Sequence, residues 1–254
     1  MKKLLISAIF TISSICNAQG SYSLYNYELD RHQISYNTEE TRSIASITKL
    51  FTAITIIRAG LELNEFIKIQ GKSRGKFPKG ALVSRRDVLK AMLISSDNLA
   101  AETLANTYPG GFNKYLADVN EYVQGIGLTH TSIVDASGLL AGNTSSIDDL
   151  IKFLGKIQAN SLIREITHER QVTIALPKGK KVVKINLHNT NPSIFTYDNI
   201  LISKTGFTSQ AGRCVIMLVE KAGLPYAVVI LGQKNVKERS KIASELILAD
   251  PKLQ

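Results

Sequence analysis

The sequence predicts an α/β fold of the α+β kind, an antiparallel sheet flanked by helices and joined to a helical subdomain. Three observations lead there. Tyrosine-rich, partly alternating runs at residues 21–29 and 33–38 surround Asp30-Arg31-His32 and read as a hairpin. The middle of the chain repeats its apolar residues mostly at helical spacing. β-branched runs then return at residues 199–203, 213–219 and 225–231, the last two joined around Ala222-Gly223, and a helix over 236–248 closes the chain. Strands at both ends with helices between them imply one sheet built from the two chain ends, with a helical insert at about residues 61–160.

The helices have readable starts. Residues 46–59 place Ile47, Leu50, Phe51, Ile54 and Ile57 on a broad apolar stripe that stops at Gly60. Ser84 and Asp87 resemble a capping box opening a second helix, with Val88, Leu89, Met92 and Leu93 on its inner face and an end near Ser95. Another helix restarts at Asn98 and runs to Asn106, which leaves Ser96-Asp97 in the break. Gly110-Gly111 opens a helix through Tyr122, and Ser146 with Asp149 caps one through Ile157.

The first residues bear on compartment. Met1-Lys2-Lys3 supplies a positive start, and residues 4–15 form an apolar run shorter than a bilayer requires, interrupted by Thr11, Ser13 and Ser14. This reads as a secretory signal peptide over residues 1–18, cleaved after Ala18, with one domain over 19–254 and a periplasmic destination. Bulky Ile15 before Cys16 argues against lipidation. Removing residues 1–18 leaves Cys214 alone, so an exported protein is expected to fold without a disulfide on the strength of its core.

The formal charge of +10 falls to +8 when Lys2 and Lys3 leave, 29 basic side chains against 21 acidic ones. Export argues against nucleic acid as the anionic partner and points to cell-wall polymer or membrane headgroups. A basic surface that merely keeps the protein soluble is an equal alternative. The clusters to inspect are Lys72-Arg74-Lys76-Lys79 and Lys178-Lys180-Lys181-Lys184.

Three short motifs carry chemistry. In Ser46-Ile47-Thr48-Lys49, a serine at a helix start and a lysine three residues on share one face, so the amine can reach the hydroxyl. A desolvated lysine of lowered pKa can take a hydroxyl proton at neutral pH, and the helix N-terminus supplies N–H groups suited to an oxyanion. Ser96-Asp97-Asn98 is a polar triplet in an apolar helical region, which by itself reads more readily as an ordinary helix cap than as part of a site. Lys204-Thr205-Gly206, at the end of a strand and followed by Phe207-Thr208, offers a cation and a hydroxyl for a carboxylate and a glycine where a substrate backbone approaches closely.

Together and in this order, the three form the set found in penicillin-binding proteins and class A β-lactamases. The mature sequence resembles, along almost its whole length, the low-molecular-mass penicillin-binding proteins, a family of D-alanyl-D-alanine carboxypeptidases and endopeptidases. The stretches Arg42-Ser43-Ile44-Ala45-Ser46-Ile47-Thr48-Lys49, Tyr108-Pro109-Gly110-Gly111, Asn189-Thr190-Asn191 and Lys204-Thr205-Gly206-Phe207-Thr208 look most like the penicillin-binding protein 7 type, a D,D-endopeptidase branch.

The resemblance implies a serine β-lactamase/D,D-transpeptidase-like fold with its site between sheet and helical subdomain. It implies no cofactor and no metal, peptidoglycan stem peptides and crosslinks as substrate, and β-lactams as covalent inhibitors. Carried over by motif, Ser46 is acylated, Lys49 is its base and Ser96 relays the proton to the leaving amine. Asn98 holds the substrate amide and orients Lys49, while Lys204 and Thr205 bind the substrate terminus. Backbone N–H groups of Ser46 and Phe207, beside Gly206, form the oxyanion hole. Acidic Asp97 stands where carboxypeptidases usually carry glycine, as in the endopeptidase branch, and the room around it is expected to bear on the choice of leaving group. Ending at Gln254, the chain is expected to lack the anchoring helix of the membrane-bound carboxypeptidases.

Several alternatives are weighed on the residues. The same family contains D-alanyl-D-alanine carboxypeptidases. A class A-like β-lactamase needs a deacylating glutamate in a Glu-x-x-Leu-Asn context, which neither Glu165 nor Glu169 has. A non-catalytic wall-binding protein would not need all the motif side chains. A metal hydrolase is disfavoured because His32, His130, His168 and His188 show no ligand spacing. Cys214, within an apolar strand run, reads as a packing residue.

Overall fold

Strands β1 (Ser21–Asn26) and β2 (Arg31–Tyr36) form the expected hairpin, turning through Asp30 at φ +49°. The computed structural model describes residues 20–179 and 181–249, so the segment read as a signal peptide and the side chains of Lys178 and Lys180 lie outside the described residues. On its other edge β1 pairs with β11 (Leu224–Gln233), which pairs with β10 (Gly212–Lys221), which pairs with β9 (Ile200–Thr208). The order β2-β1-β11-β10-β9 is antiparallel throughout, so the sheet is made from both chain ends and β9 is an edge strand. β10 turns into β11 at Ala222 and Gly223, both at positive φ as a tight hairpin turn requires.

The runs in β10 and β11 are uninterruptedly apolar because both faces of the sheet are covered. Cys214, Ile216, Leu218, Ala227, Val229 and Leu231 face the large core shared with the helices. Val215, Met217, Val219, Tyr226, Val228 and Ile230 face a smaller core closed by Ile242, Ala243, Leu246 and Ile247 of the C-terminal helix. The period of two along a strand separates the sets.

The helices are α1 (Thr48–Arg58), α2 (Arg85–Ile94), α3 (Asn98–Asn106), α4 (Gly111–Gly125), α5 (Ile147–Ile157), α6 (Ser161–His168) and α7 (Val236–Leu248). Their starts follow the caps read from the sequence. Ser84 Oγ accepts from Asp87 N at 3.1 Å and Ser146 Oγ from Asp149 N at 3.1 Å. Helix α1 is buried from Thr48 to Ile56, and its polar Thr52 is satisfied by Tyr115 Oη at 2.8 Å and the Ala136 carbonyl at 2.7 Å. Phe51 of α1 stacks on Phe153 of α5, ring centroids 3.8 Å apart. No helix among the described residues is long and apolar enough to cross a membrane.

The structure differs from the sequence expectation in four places. The helix expected from Ser46 begins as a 3₁₀ turn, Ala45–Ile47, and becomes α-helical at Thr48. The Lys204-Thr205-Gly206 motif lies inside β9 rather than at a strand end. Helix α6 and the hairpin β7 (Gln171–Lys178) and β8 (Lys181–His188) were not expected. Residues 181–184 of β8 are all exposed, so that strand lacks the alternation that marks a half-buried one. Four two- and three-residue strands are too short to show a period: β3 (Arg42–Ser43) with β6 (Thr144–Ser145), and β4 (Phe66–Lys68) with β5 (Leu82–Ser84).

Phe153→Ala, which removes one ring of a fully buried stack, is expected to lower stability by about 3–5 kcal/mol in denaturant titrations.

Candidate functional site

Ser46 sits at the centre of the 3₁₀ turn that precedes α1, and backbone on two sides holds it there. Ala45 adopts φ +45°, uncommon for a residue with a side chain. A Cβ on Gly138, itself at φ +81°, would come within 1.9 Å of the Ala45 carbonyl oxygen. One on Gly206 would come within 2.9 Å of the Ile44 carbonyl and 3.0 Å of Ser46 N. The missing side chain at Gly206 therefore serves the chain's own backbone at residues 44–46, where the sequence reading had a substrate approaching.

One turn on, the amine of Lys49 is completely buried and donates to Ser46 Oγ at 3.0 Å, to Asn98 Oδ1 at 2.7 Å and to the carbonyl of Ser137. Burial pushes its pKa down to about 7, against the opposing pull of Asp135, Asp97 and Glu102. A neutral amine in hydrogen-bond contact with a hydroxyl can accept its proton near neutral pH.

Asn98 opens α3, and Ser96 precedes it at φ +56°, turning the chain between α2 and α3. The Ser96 hydroxyl makes no hydrogen bond among the described residues. Ser95 Oγ ties this corner to His188, accepting from its N–H at 3.0 Å, and Thr190 N donates to the Ile94 carbonyl at 3.2 Å. Thr190 Oγ1 in turn lies 2.6 Å from Thr205 Oγ1, which connects the helical edge to β9. Lys204 is buried, donates to the Thr205 carbonyl at 3.0 Å, and is held well below its ordinary pKa by burial and then by the charges of Lys49 and Arg239. Phe207 is 48% exposed, with the Arg213 guanidinium 3.5 Å over its ring centroid.

Asp97 departs from expectation. Its carboxylate is buried, accepts from Ala100 N at 2.8 Å and from Lys76 N, and so points into the loop between β4 and β5. It caps α3 and pins a loop, so it does not act as an open wall against a leaving group.

Two residues went unread. Asp135 accepts from Ser137 N and Gly138 N at 2.6 Å each, from Leu140 N at 2.7 Å and from Asn143 Nδ2 at 3.1 Å. These bonds set the loop whose Ser137 carbonyl meets Lys49, and Asp-Ala-Ser-Gly is a turn sequence that signals such a loop. Arg239 is buried on α7 with no acidic partner among the described residues, and burial and Arg213 lower its pKa. It shares the α7 stripe with Ile242, Ala243 and Leu246, so helical spacing marks it as inward-facing.

Glu165, the carboxylate a β-lactamase reading would use, pairs with Arg86 at 3.2 Å. Cys214 is buried beside Gly206 in the sheet, and burial pushes its thiol up to about 11, which suits packing rather than nucleophilic attack. Among the described residues no group of three or more His, Cys, Asp or Glu side chains could hold a metal ion.

With this geometry in view, residues 16–235 match the family model of the S11 peptidases, described as D-alanyl-D-alanine carboxypeptidase. The chain belongs to this peptidase family. It is 32% identical over 224 residues to a D-alanyl-D-alanine endopeptidase of Escherichia coli K12, covering 84% of this chain and 71% of that protein. A D-alanyl-D-alanine endopeptidase of Pseudomonas aeruginosa is likewise 32% identical over 222 residues, with the same coverage of 84% and 71%. Among solved structures, the Streptomyces K15 DD-transpeptidase superposes with a TM-score of 0.83 at 22% identity, covering 91% of this chain and 95% of that one. Penicillin-binding protein D2 of Listeria monocytogenes, in its ampicillin-bound form, gives 0.79 at 26% identity over 90% and 95% of the two chains. The S11 fold is thus the antiparallel sheet with flanking helices described above.

Asp135→Ala should leave the sheet intact but release the loop under Lys49. Acylation by a fluorescent penicillin, followed by stopped reaction and gel, is expected to slow by about a hundredfold, the scale of a 1 Å misplacement.

Proposed function

We propose that this S11 chain is a serine-type D-alanyl-D-alanine endopeptidase that hydrolyses D,D-crosslinks in peptidoglycan through an acyl-enzyme on Ser46 and is inhibited by β-lactams. The observation that carries the reading is the buried Lys49 amine, poised near pKa 7 and bonded to Ser46 Oγ. In this reading Ser46 Oγ forms a bond to the D-alanyl carbonyl carbon while its proton passes to Lys49 Nζ. The oxyanion rests on the N–H groups of Ser46 and Phe207, a type of donor whose removal typically costs about a hundredfold or more. The C–N bond then breaks, and Ser96 relays the proton to the leaving amine. Water attacks the resulting ester and restores Ser46.

Binding follows from the same geometry. Asn98 gives its oxygen to Lys49, which leaves its amide N–H groups for the substrate carbonyl. Lys204 and Thr205 take the carboxylate of the leaving residue, and Arg239, buried without an acidic partner among the described residues, adds positive charge behind them. No strand among the described residues pairs with the outer edge of β9, and an extended peptide would add on that side.

Endopeptidase action is preferred because three relatives bearing that name are 30–32% identical, whereas a Bacillus subtilis relative named as a carboxypeptidase is 24% identical. Carboxypeptidase action, the activity in the family's description, is the second reading. Residues 1–18 would direct the chain to the periplasm and be cleaved after Ala18, leaving residues 19–254 as the catalytic domain.

Ser46→Ala is expected to abolish covalent labelling by a fluorescent penicillin; stoichiometric labelling of that variant under native conditions would sink the nucleophile assignment. Lys49→Ala should lose acylation while circular dichroism still reports a folded protein. Because the amine accepts a proton only when neutral, the wild-type acylation rate should rise with pH through about 7 and then level off. Measured kcat/KM should favour a crosslinked muropeptide dimer over a linear pentapeptide, and the reverse order would move the enzyme to the carboxypeptidases.

A further inference from the structure

Beside the second motif, the loop of residues 69–81 between β4 and β5 carries four cationic side chains, none of them in an ion pair among the described residues. Its backbone is fixed by acceptors from α3. Glu102 Oε2 accepts from Ser73 N at 3.0 Å and also from Lys72 N, its other oxygen takes the Ser73 hydroxyl, and Asp97 takes Lys76 N. Thr103 Oγ1 accepts from Gln70 N at 3.0 Å and donates to its carbonyl at 2.9 Å. Ile69 and Phe77 are buried beneath. A Cβ on Gly75 would lie 2.6 Å from Asp97 Oδ1, so the loop rests directly on the residue between Ser96 and Asn98.

The two acidic groups that could neutralise this loop are thus turned inward onto backbone N–H groups and the Ser73 hydroxyl. Lys72, Arg74, Lys76 and Lys79 are all exposed, and none forms an ion pair among the described residues; only Lys79 is engaged, donating to the Lys72 carbonyl at 3.1 Å. A rigid backbone with unpaired cations is a pre-organised anion surface, because the ordering cost is met during folding rather than on binding.

We propose that this loop is a docking surface for the carboxylates of the second stem peptide of a crosslinked pair, and so a specificity element for crosslinks over single peptides. The inference rests on the endopeptidase reading above for its substrate and on the loop geometry for its place. A linear pentapeptide brings only the strand that acylates Ser46, whereas a crosslink brings a second carboxylate-bearing strand past the mouth of the site. Asp97 then matters for substrate choice by holding Lys76 and Arg74 at that mouth, without itself touching the leaving group.

The test is the triple variant Lys72→Gln, Arg74→Gln, Lys76→Gln, which leaves every backbone donor of the loop in place. Its kcat/KM for a crosslinked muropeptide dimer should fall about tenfold, and the salt dependence of that reaction up to about 0.3 M sodium chloride should flatten. Fluorescent-penicillin acylation and kcat/KM for the pentapeptide should stay within about twofold of wild type. Equal losses on dimer and pentapeptide, or no loss on either, would overturn the proposal. Binding of Ser46→Ala protein to purified crosslinked wall sacculi, with and without the triple substitution, separates the two readings. Reduced sacculus binding by the triple variant in an enzyme that prefers the pentapeptide would retire the endopeptidase reading and keep the loop as a wall-docking surface. Undiminished sacculus binding, together with lost binding to vesicles of anionic phospholipid, would make the loop a membrane surface and overturn the proposal.

Discussion

The amine of Lys49 lies out of water among three oxygens, Ser46 Oγ, Asn98 Oδ1 and the Ser137 carbonyl, and each oxygen comes from a different part of the chain. Burying a cation is unfavourable unless acceptors surround it, so these partners must be held in place by structure that does not itself depend on the lysine. Asp135 holds the Ser137 carbonyl through the N–H groups of its loop, and the cap at Asp97 fixes the first turn of α3 that carries Asn98. Gly138 and Gly206 let the two flanking segments close on residues 44–46. Carboxylates near the amine keep its pKa from falling further, and the balance leaves it able to change protonation state near neutrality.

The same arrangement accounts for local strain. Ala45 and Ser96 both adopt left-handed backbone although neither is glycine, and both belong to the segments that meet at Lys49. Such conformations typically cost about 1–3 kcal/mol each and persist where surrounding packing over-determines them. Here the packing is α1, buried from Thr48 to Ile56, and the sheet edge at β9, so the bulk of the fold keeps a small number of atoms at the site in unfavourable torsions.

Much of this was legible in the sequence because period and caps are local signals. The sheet from both chain ends, the capped helices at Ser84, Asn98 and Ser146, and the three motifs could each be read from spacing within a few turns. What escaped was set by tertiary contact. β8 exposes Lys181, Val182, Val183 and Lys184 together, so its pairing with β7 left no alternation to detect. Asp97 looked like part of the cleft because it stands between two site residues, yet a backbone N–H from residue 76 turns its carboxylate away. Asp135 sits 86 positions after Lys49 and acts on it only through a neighbour's carbonyl, a relation that no spacing encodes. Arg239 was the one miss with a usable signal, since its stripe on α7 is apolar everywhere else.

The pairing of β1 with β11 joins residues about as far apart as the chain allows; the Asn26 side chain donates to Tyr226 Oη across 200 positions. Contacts of that separation form late, because closing so long a loop loses entropy before any packing is gained. As the chain emerges from its N-terminus, the β1–β2 hairpin must wait with one edge unpaired until residues 224–233 arrive, while the central helices can already collapse on one another. The serine and lysine would then be near each other before the sheet exists, but Gly206 could not close over Ser46 until β9 joins β10. Competence to acylate therefore waits on the contacts of greatest sequence separation, so the nucleophile stays unassembled until the sheet has closed.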